Sequence, residues 1–174
     1  MDPEKKIIQA RSHMLLDQPF YGHIAISLEL EAREDMNPPT MGTDGLKLYY
    51  HPDFVKELPS EQLKGVLAHE VGHIVLYHIT RRQSREQIRW NVATDFAVND
   101  LVLKEFELPD GILHNPNFAD KTAEWIYNQL PETQTVEVTI TLDSHEDWKD
   151  GNGNGNGKGK DKEGKEELKP GTGE

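Results

Sequence analysis

The stretch Leu67-Ala-His-Glu-Val-Gly-His-Ile-Val-Leu-Tyr-His78 constrains the fold more than any other, because it sets ionisable groups inside an apolar helical pattern. Leu63, Val66, Leu67, Val71, Ile74 and Val75 recur at helical spacing, so at least one face of this segment belongs in a core. His69, Glu70 and His73 lie among them. Each buried polar group left without a partner costs about 1–3 kcal/mol, and a charged one more. Four residues along an α-helix make a net rotation of about 40° and a rise of about 6 Å, so His69 and His73 project side by side. Two adjacent imidazoles suit a shared divalent cation, with Glu70 on the adjoining flank, near enough to a water without being a ligand. His-Glu-x-x-His on a helix is the arrangement in which zinc lowers a water's pKa to about 7 and the glutamate takes its proton. The plainer alternative has both histidines packing or hydrogen-bonding in the core.

A catalytic zinc needs a third protein ligand, and the chain has no cysteine to supply a thiolate. The segment WNVATDFAVNDL, residues 90–101, carries Asp95 and Asn99 four apart on the side of Val92, Phe96 and Val102. Polar residues within an apolar stripe are better explained by a metal than by surface placement. Asp95 is therefore the expected third ligand, and Asn99 the acceptor of a ligand imidazole N–H. A His2Asp set leaves the fourth position open for water or substrate. His78, five residues past His73, is expected to point away from the metal, because five helical residues rotate by about 140°. Leu76 and Ile79 stand where a metzincin would have glycine and histidine, which excludes that class. His13, His23, His51 and His114 have no spaced partner. His145, among Asp143, Glu146 and Asp147, is a candidate substrate polariser, proton donor or occluding fourth ligand, or else part of an exposed acidic turn.

Around these motifs the pattern is that of one domain over residues 1–148. Residues 4–17 have helical spacing; Ile24, Ile26, Leu28 and Leu30 alternate with polar or small neighbours as a strand would; LKLYYH, residues 46–51, reads as a second strand. The motif helix should run from a Ser60 N-cap to about Thr80, a second from about Ser84 to Phe106, and a third from Asp120 or Thr122 to Leu130. VEVTITL, residues 136–142, reads as a late strand. Residues 149–174, rich in Gly, Asn, Lys and Glu, read as a flexible tail, or as a linker to something further in a longer parent. A formal charge of −12 repels phosphate backbones, so nucleic acid is not an expected partner. Neither a signal-like apolar stretch nor a run near the ~20 apolar residues of a membrane span is present, and the expected setting is soluble and cytoplasmic.

HEVGH, WNVATDFAVND, the preceding TDGLKLYYHPDFV and the later TAEWIYNQL together resemble the zinc metallopeptidase domain that, in bacterial and phage proteins, often precedes a von Willebrand factor A-like domain. The likeness runs from about Pro19 to Trp148. It implies an α+β, zincin-like fold: a small mixed sheet packed on the HExxH helix and a second, ligand-bearing helix. It also implies Zn2+ held by His69, His73 and Asp95, with Glu70 as catalytic base. Gluzincins, more remotely similar, carry Glu-x-x-x-Asp where Asp95-Phe-Ala-Val-Asn99 stands. Aspartate is one methylene shorter, so the two helices must approach more closely, and a neutral Asn99 orients an imidazole less strongly than a carboxylate. No von Willebrand A-like domain is present; TLDSHEDW lacks the Asp-x-Ser-x-Ser pattern.

The expected function is zinc-dependent hydrolysis of peptide bonds in a peptide or protein substrate, with Glu70 deprotonating the attacking water and passing the proton to the leaving amine. LKLYYH would lie above the active-site helix as a sheet edge for an extended substrate; His145, Tyr77 and Tyr49 are unranked oxyanion partners. The alternative is a catalytically silent, metal-stabilised scaffold working with a partner ATPase or a downstream domain. Hydrolysis of a non-peptide amide would use the same metal-site residues.

Overall fold

The computed structural model describes residues 1–132. Three helices open with proline in the first turn, where its missing N–H is not needed: α1 (Pro3–Asp17), α2 (Pro19–Ser27) and α3 (Pro52–Glu57). Between α2 and α3 lie β1 (Glu29–Ala32), β2 (Met41–Thr43) and β3 (Lys47–Tyr50), ordered β1-β3-β2, with β1 parallel and β2 antiparallel to β3. The chain continues through α4 (Ser60–Val75), α5 (His78–Arg81), α6 (Gln87–Val102) and α7 (Ala123–Gln129). The architecture is α+β, a small mixed sheet with many helices.

The alternating isoleucines mislead over 24–28. Buried Gly22, Ala25 and Leu28 follow a helical period, and α2 ends only at Ser27. Distant residues decide this: Gly22 approaches the Leu15 backbone so closely that an added Cβ would lie 2.3 Å from its nitrogen, and the Arg11 guanidinium donates to the terminal carbonyls of Ala25 (2.8 Å) and Leu28 (2.9 Å). Lys6 acts alike on α3, donating to the carbonyls of Val55, Lys56 and Leu58. β3 is the central strand, paired along Lys47–Tyr50 to β1 and along Leu48–Tyr50 to β2, so it offers no free edge to a substrate. The parallel β1 pairing, between segments 18 residues apart in register (Glu29 with Lys47), carries no local signal.

α4 is the hub, packed against α1, α2, α6 and β2. Its core face, Leu63, Val66, Leu67 and Ala68, meets Ile7, Met14, Met41, Leu48, Val55, Val98 and Val102. It begins at Ser60 behind Pro59 with no side-chain cap, and it stops at Val75, short of the expected Thr80. Tyr77 takes a left-handed φ of 55°, which turns the chain into α5. α6 opens behind Glu86, whose carboxylate accepts from the amides of Ile88 and Arg89, and α7 behind Thr122, whose hydroxyl accepts from Trp125. Among the described residues no helix is long and apolar enough to cross a membrane. The expected 136–142 strand, the boundary at residue 148 and His145 lie outside the described residues.

Candidate metal centre

α4 and α6 cross at Gly72. A Cβ built there would lie 2.8 Å from Val98 Cγ1, so only glycine lets the buried faces of the two helices approach this closely. The crossing brings together the three residues singled out on the two helices. His69, His73 and Asp95 are each 0% exposed, and their ligating atoms form a single group. His69 Nε2 lies 3.0 Å from His73 Nε2, and Asp95 Oδ1 lies 3.4 Å from His73 Nε2 and 3.9 Å from His69 Nε2. Ligands about 2.0–2.1 Å from a tetrahedral divalent ion stand about 3.3 Å apart, and the three observed separations bracket that value. Two nitrogens and a carboxylate oxygen, withdrawn from water and converging on one point, fit a divalent metal ion in charge and in spacing.

The remaining ring nitrogens are also engaged. Asn99 Nδ2 donates to the Leu113 carbonyl at 2.9 Å, which turns its Oδ1 toward His69 Nδ1, 2.8 Å away. His69 must then donate from Nδ1, which leaves the Nε2 lone pair facing Asp95 and His73. Asn99 therefore occupies the position expected for an acceptor of a ligand imidazole. Glu70, next to His69 on α4, is fully buried as well.

His78 is the residue that periodicity misplaces. It does not point away: its Nδ1 lies 3.1 Å from His73 Nδ1, and it is 1% exposed. The 140° rotation holds only for an unbroken helix, and α4 ends three residues earlier. Trp90, fully buried on α6, fixes the new direction by donating its indole N–H to the His78 carbonyl at 3.0 Å. Arg81 holds the same turn, donating to the Leu76 carbonyl at 2.7 Å and pairing through two nitrogens with Glu124 of α7. The sequence signal that could have found His78 is Tyr77-His78 beside a tryptophan on the next helix, and it is weak.

The other histidines serve locally or stay in solvent. His51 accepts from the Asp53 amide at the start of α3, His114 stands 3.9 Å from Asp100, and His13 and His23 are exposed. Tyr49 donates to Asp44 at 2.8 Å, and Tyr77 is 69% exposed. A cavity of about 510 Å³ on the α1, α3 and α4 side, lined by Lys6, His13, Lys56 and Lys64, includes none of the clustered residues. A second, of about 220 Å³, borders His78, Arg81 and Asp100.

No solved structure matches the chain. A Thermotoga maritima protein described as uncharacterized is 27% identical over 120 residues, 65% of this chain and 30% of that protein, so the chain spans under a third of this relative's length. Residues 2–173 match the family described as "Putative metallopeptidase domain", and with a match over nearly its whole length the chain belongs to that family.

Proposed function

We propose that this domain is a zinc-dependent metallopeptidase in which His69, His73 and Asp95 hold the ion and Glu70 is the general base. The observation that carries this reading is the convergence of two imidazole nitrogens and one carboxylate oxygen, from two helices, at separations that bracket the edge length of a tetrahedral ligand set. Two imidazoles with a carboxylate and no thiolate favour zinc over the harder cations that take all-oxygen sites. Zinc, when bound, lowers the pKa of water toward neutrality and polarises a carbonyl. Glu70 accepts the proton of the attacking water on a carboxylate oxygen and delivers it to the departing amine nitrogen. Glu70 is fully buried beside His69 on the same helix. A peptide or protein is the proposed substrate, and a partner ATPase or von Willebrand A-like domain the proposed companion.

The test is Glu70→Gln on the full chain, with bound metal measured alongside cleavage of a peptide library. The expected result is one equivalent of zinc in both proteins and a loss of cleavage of about 10²–10⁴-fold in the variant. Cleavage that survives the substitution overturns Glu70 as the base. One equivalent of zinc in a wild type that cleaves nothing favours the catalytically silent scaffold, which the full burial of Glu70 and all three ligands would suit.

A further inference from the structure

We propose that His78 is a positioning residue for the metal centre: it accepts a hydrogen bond from Nδ1–H of His73 and so holds His73 in the tautomer that presents Nε2 to the ion. This rests on the metal-centre reading above and extends it beyond the His-Glu-x-x-His motif. His73 Nε2 faces His69 and Asp95, and a nitrogen that binds a metal must be unprotonated. The proton of the neutral ring is then on Nδ1, 3.1 Å from His78 Nδ1. Two ring nitrogens at that distance share one proton, so His78 Nδ1 is the acceptor and the proton of His78 sits on its Nε2.

The arrangement parallels that of His69 and Asn99 but is anchored differently. Asn99 is fixed by the Leu113 carbonyl; His78 is fixed through its own backbone and ring. Its carbonyl takes the Trp90 indole N–H, its ring meets Trp90 edge to face at 6.1 Å and 83°, and the preceding Tyr77 turn is tied to α7 through Arg81 and Glu124. Both ligand histidines are thereby oriented by neutral acceptors, an amide and an imidazole. A divalent ion with two neutral imidazoles and one carboxylate keeps a net charge of +1, and neutral acceptors do not reduce it as carboxylates would.

The experiment uses the full chain. Nitrogen-15 NMR of wild-type imidazoles, metal-free and zinc-loaded, is read for a nitrogen–nitrogen scalar coupling between His73 Nδ1 and His78 Nδ1. Zinc affinity is measured by chelator competition for wild type, His78→Phe and His78→Asn. Phenylalanine keeps the ring packing against Trp90 without an acceptor; asparagine sets an amide oxygen near the Nδ1 position. We expect the coupling in wild type, zinc binding about 10–100-fold weaker in His78→Phe, and recovery to within about threefold in His78→Asn. Zinc-binding wild type without the coupling overturns the role of His78 alone, as does wild-type affinity in His78→Phe, or His78→Asn binding as weakly as His78→Phe. A wild type that binds no zinc overturns the metal-centre reading itself. If His78→Phe does not fold, the coupling in wild type still decides.

Discussion

Replacing Gly72 by alanine is expected to weaken metal binding as well as the fold. The added Cβ would lie 2.8 Å from Val98 Cγ1 and 3.5 Å from Cγ2. Comfortable carbon contacts are about 3.5–4.0 Å, so roughly 0.7 Å or more must be found. Val98 is fully buried and β-branched on a helix, which leaves it a single favoured rotamer, and α6 must retreat instead. Asp95 and Asn99 lie within one turn of Val98 and retreat with it. Overpacking costs about 1–3 kcal/mol, and alanine returns about 1 kcal/mol of helix propensity, so metal-free stability should fall by no more than about 2 kcal/mol. The same retreat lengthens the 3.4 Å between Asp95 and His73 past what a common ion tolerates. A loss of at least about tenfold in zinc affinity, about 1.4 kcal/mol, is expected. Urea denaturation of the metal-free protein gives the first quantity and chelator competition the second. Val98→Ala added to Gly72→Ala should restore zinc affinity, with a coupling of about 0.5–3 kcal/mol between the two sites. Unchanged zinc affinity in Gly72→Ala, or failure of Val98→Ala to restore it, refutes the account of the crossing.

Zinc at one hundred times its Kd should raise wild-type stability by about 2.7 kcal/mol, and Asp95→Ala should lose most of that increment; urea midpoints with and without chelator measure both. Asn99→Asp keeps an oxygen for His69 Nδ1–H but removes the donor to the Leu113 carbonyl, 2.9 Å away. It should cost about 1–3 kcal/mol of stability in urea without lowering zinc affinity. The Asp44 carboxyl is held below its ordinary pKa: burial works against this and is outweighed by the amides of Lys47 and Leu46 and the Tyr49 hydroxyl. Its stabilising contribution is therefore complete above the unfolded value of 3.8 and disappears as pH falls through the lower folded value, so the stability gap to Asp44→Asn should close on acidification. Burial and the bond to Asp44 push the Tyr49 phenol up to about 12, so its contribution is complete below the unfolded value of 10.0 and is lost as pH rises to the folded value of about 12, which phenolate absorbance would follow.

The parts of the site legible in the sequence are those in which a residue violates the pattern of its own helix. Asp95 and Asn99 interrupt an apolar stripe, and the structure places them beside His73 and His69. His69 and His73 share a face because four residues nearly close a turn, a local property that tertiary packing did not change. His78 was illegible because its direction depends on where α4 stops, which the indole of Trp90, twelve residues later, helps to fix. The isoleucines before β1 failed for the same kind of reason: helix and strand both fit residues 24–27, and Arg11, fourteen residues from Ala25, caps the helical choice. The centrality of β3 followed from a parallel partner that no hairpin turn announces.

The short carboxylate of Asp95 and the glycine of the motif act on the same helix spacing. An aspartate is one methylene shorter than a glutamate and meets the two imidazoles only if its helix lies close to α4, and the residue at which α4 yields is Gly72, between Val71 and His73. Gly72 thus shapes the cluster without belonging to it, by setting the height of α6 above the two imidazoles. Gly65, about two turns earlier, admits the chain beyond α6 in the same way: a Cβ there would lie 1.8 Å from the Glu107 carbonyl oxygen. With both crossings fixed, α6 and the loop that follows it have one depth available, and from it Asp95, Asn99 and the Leu113 carbonyl line up on the histidines of α4.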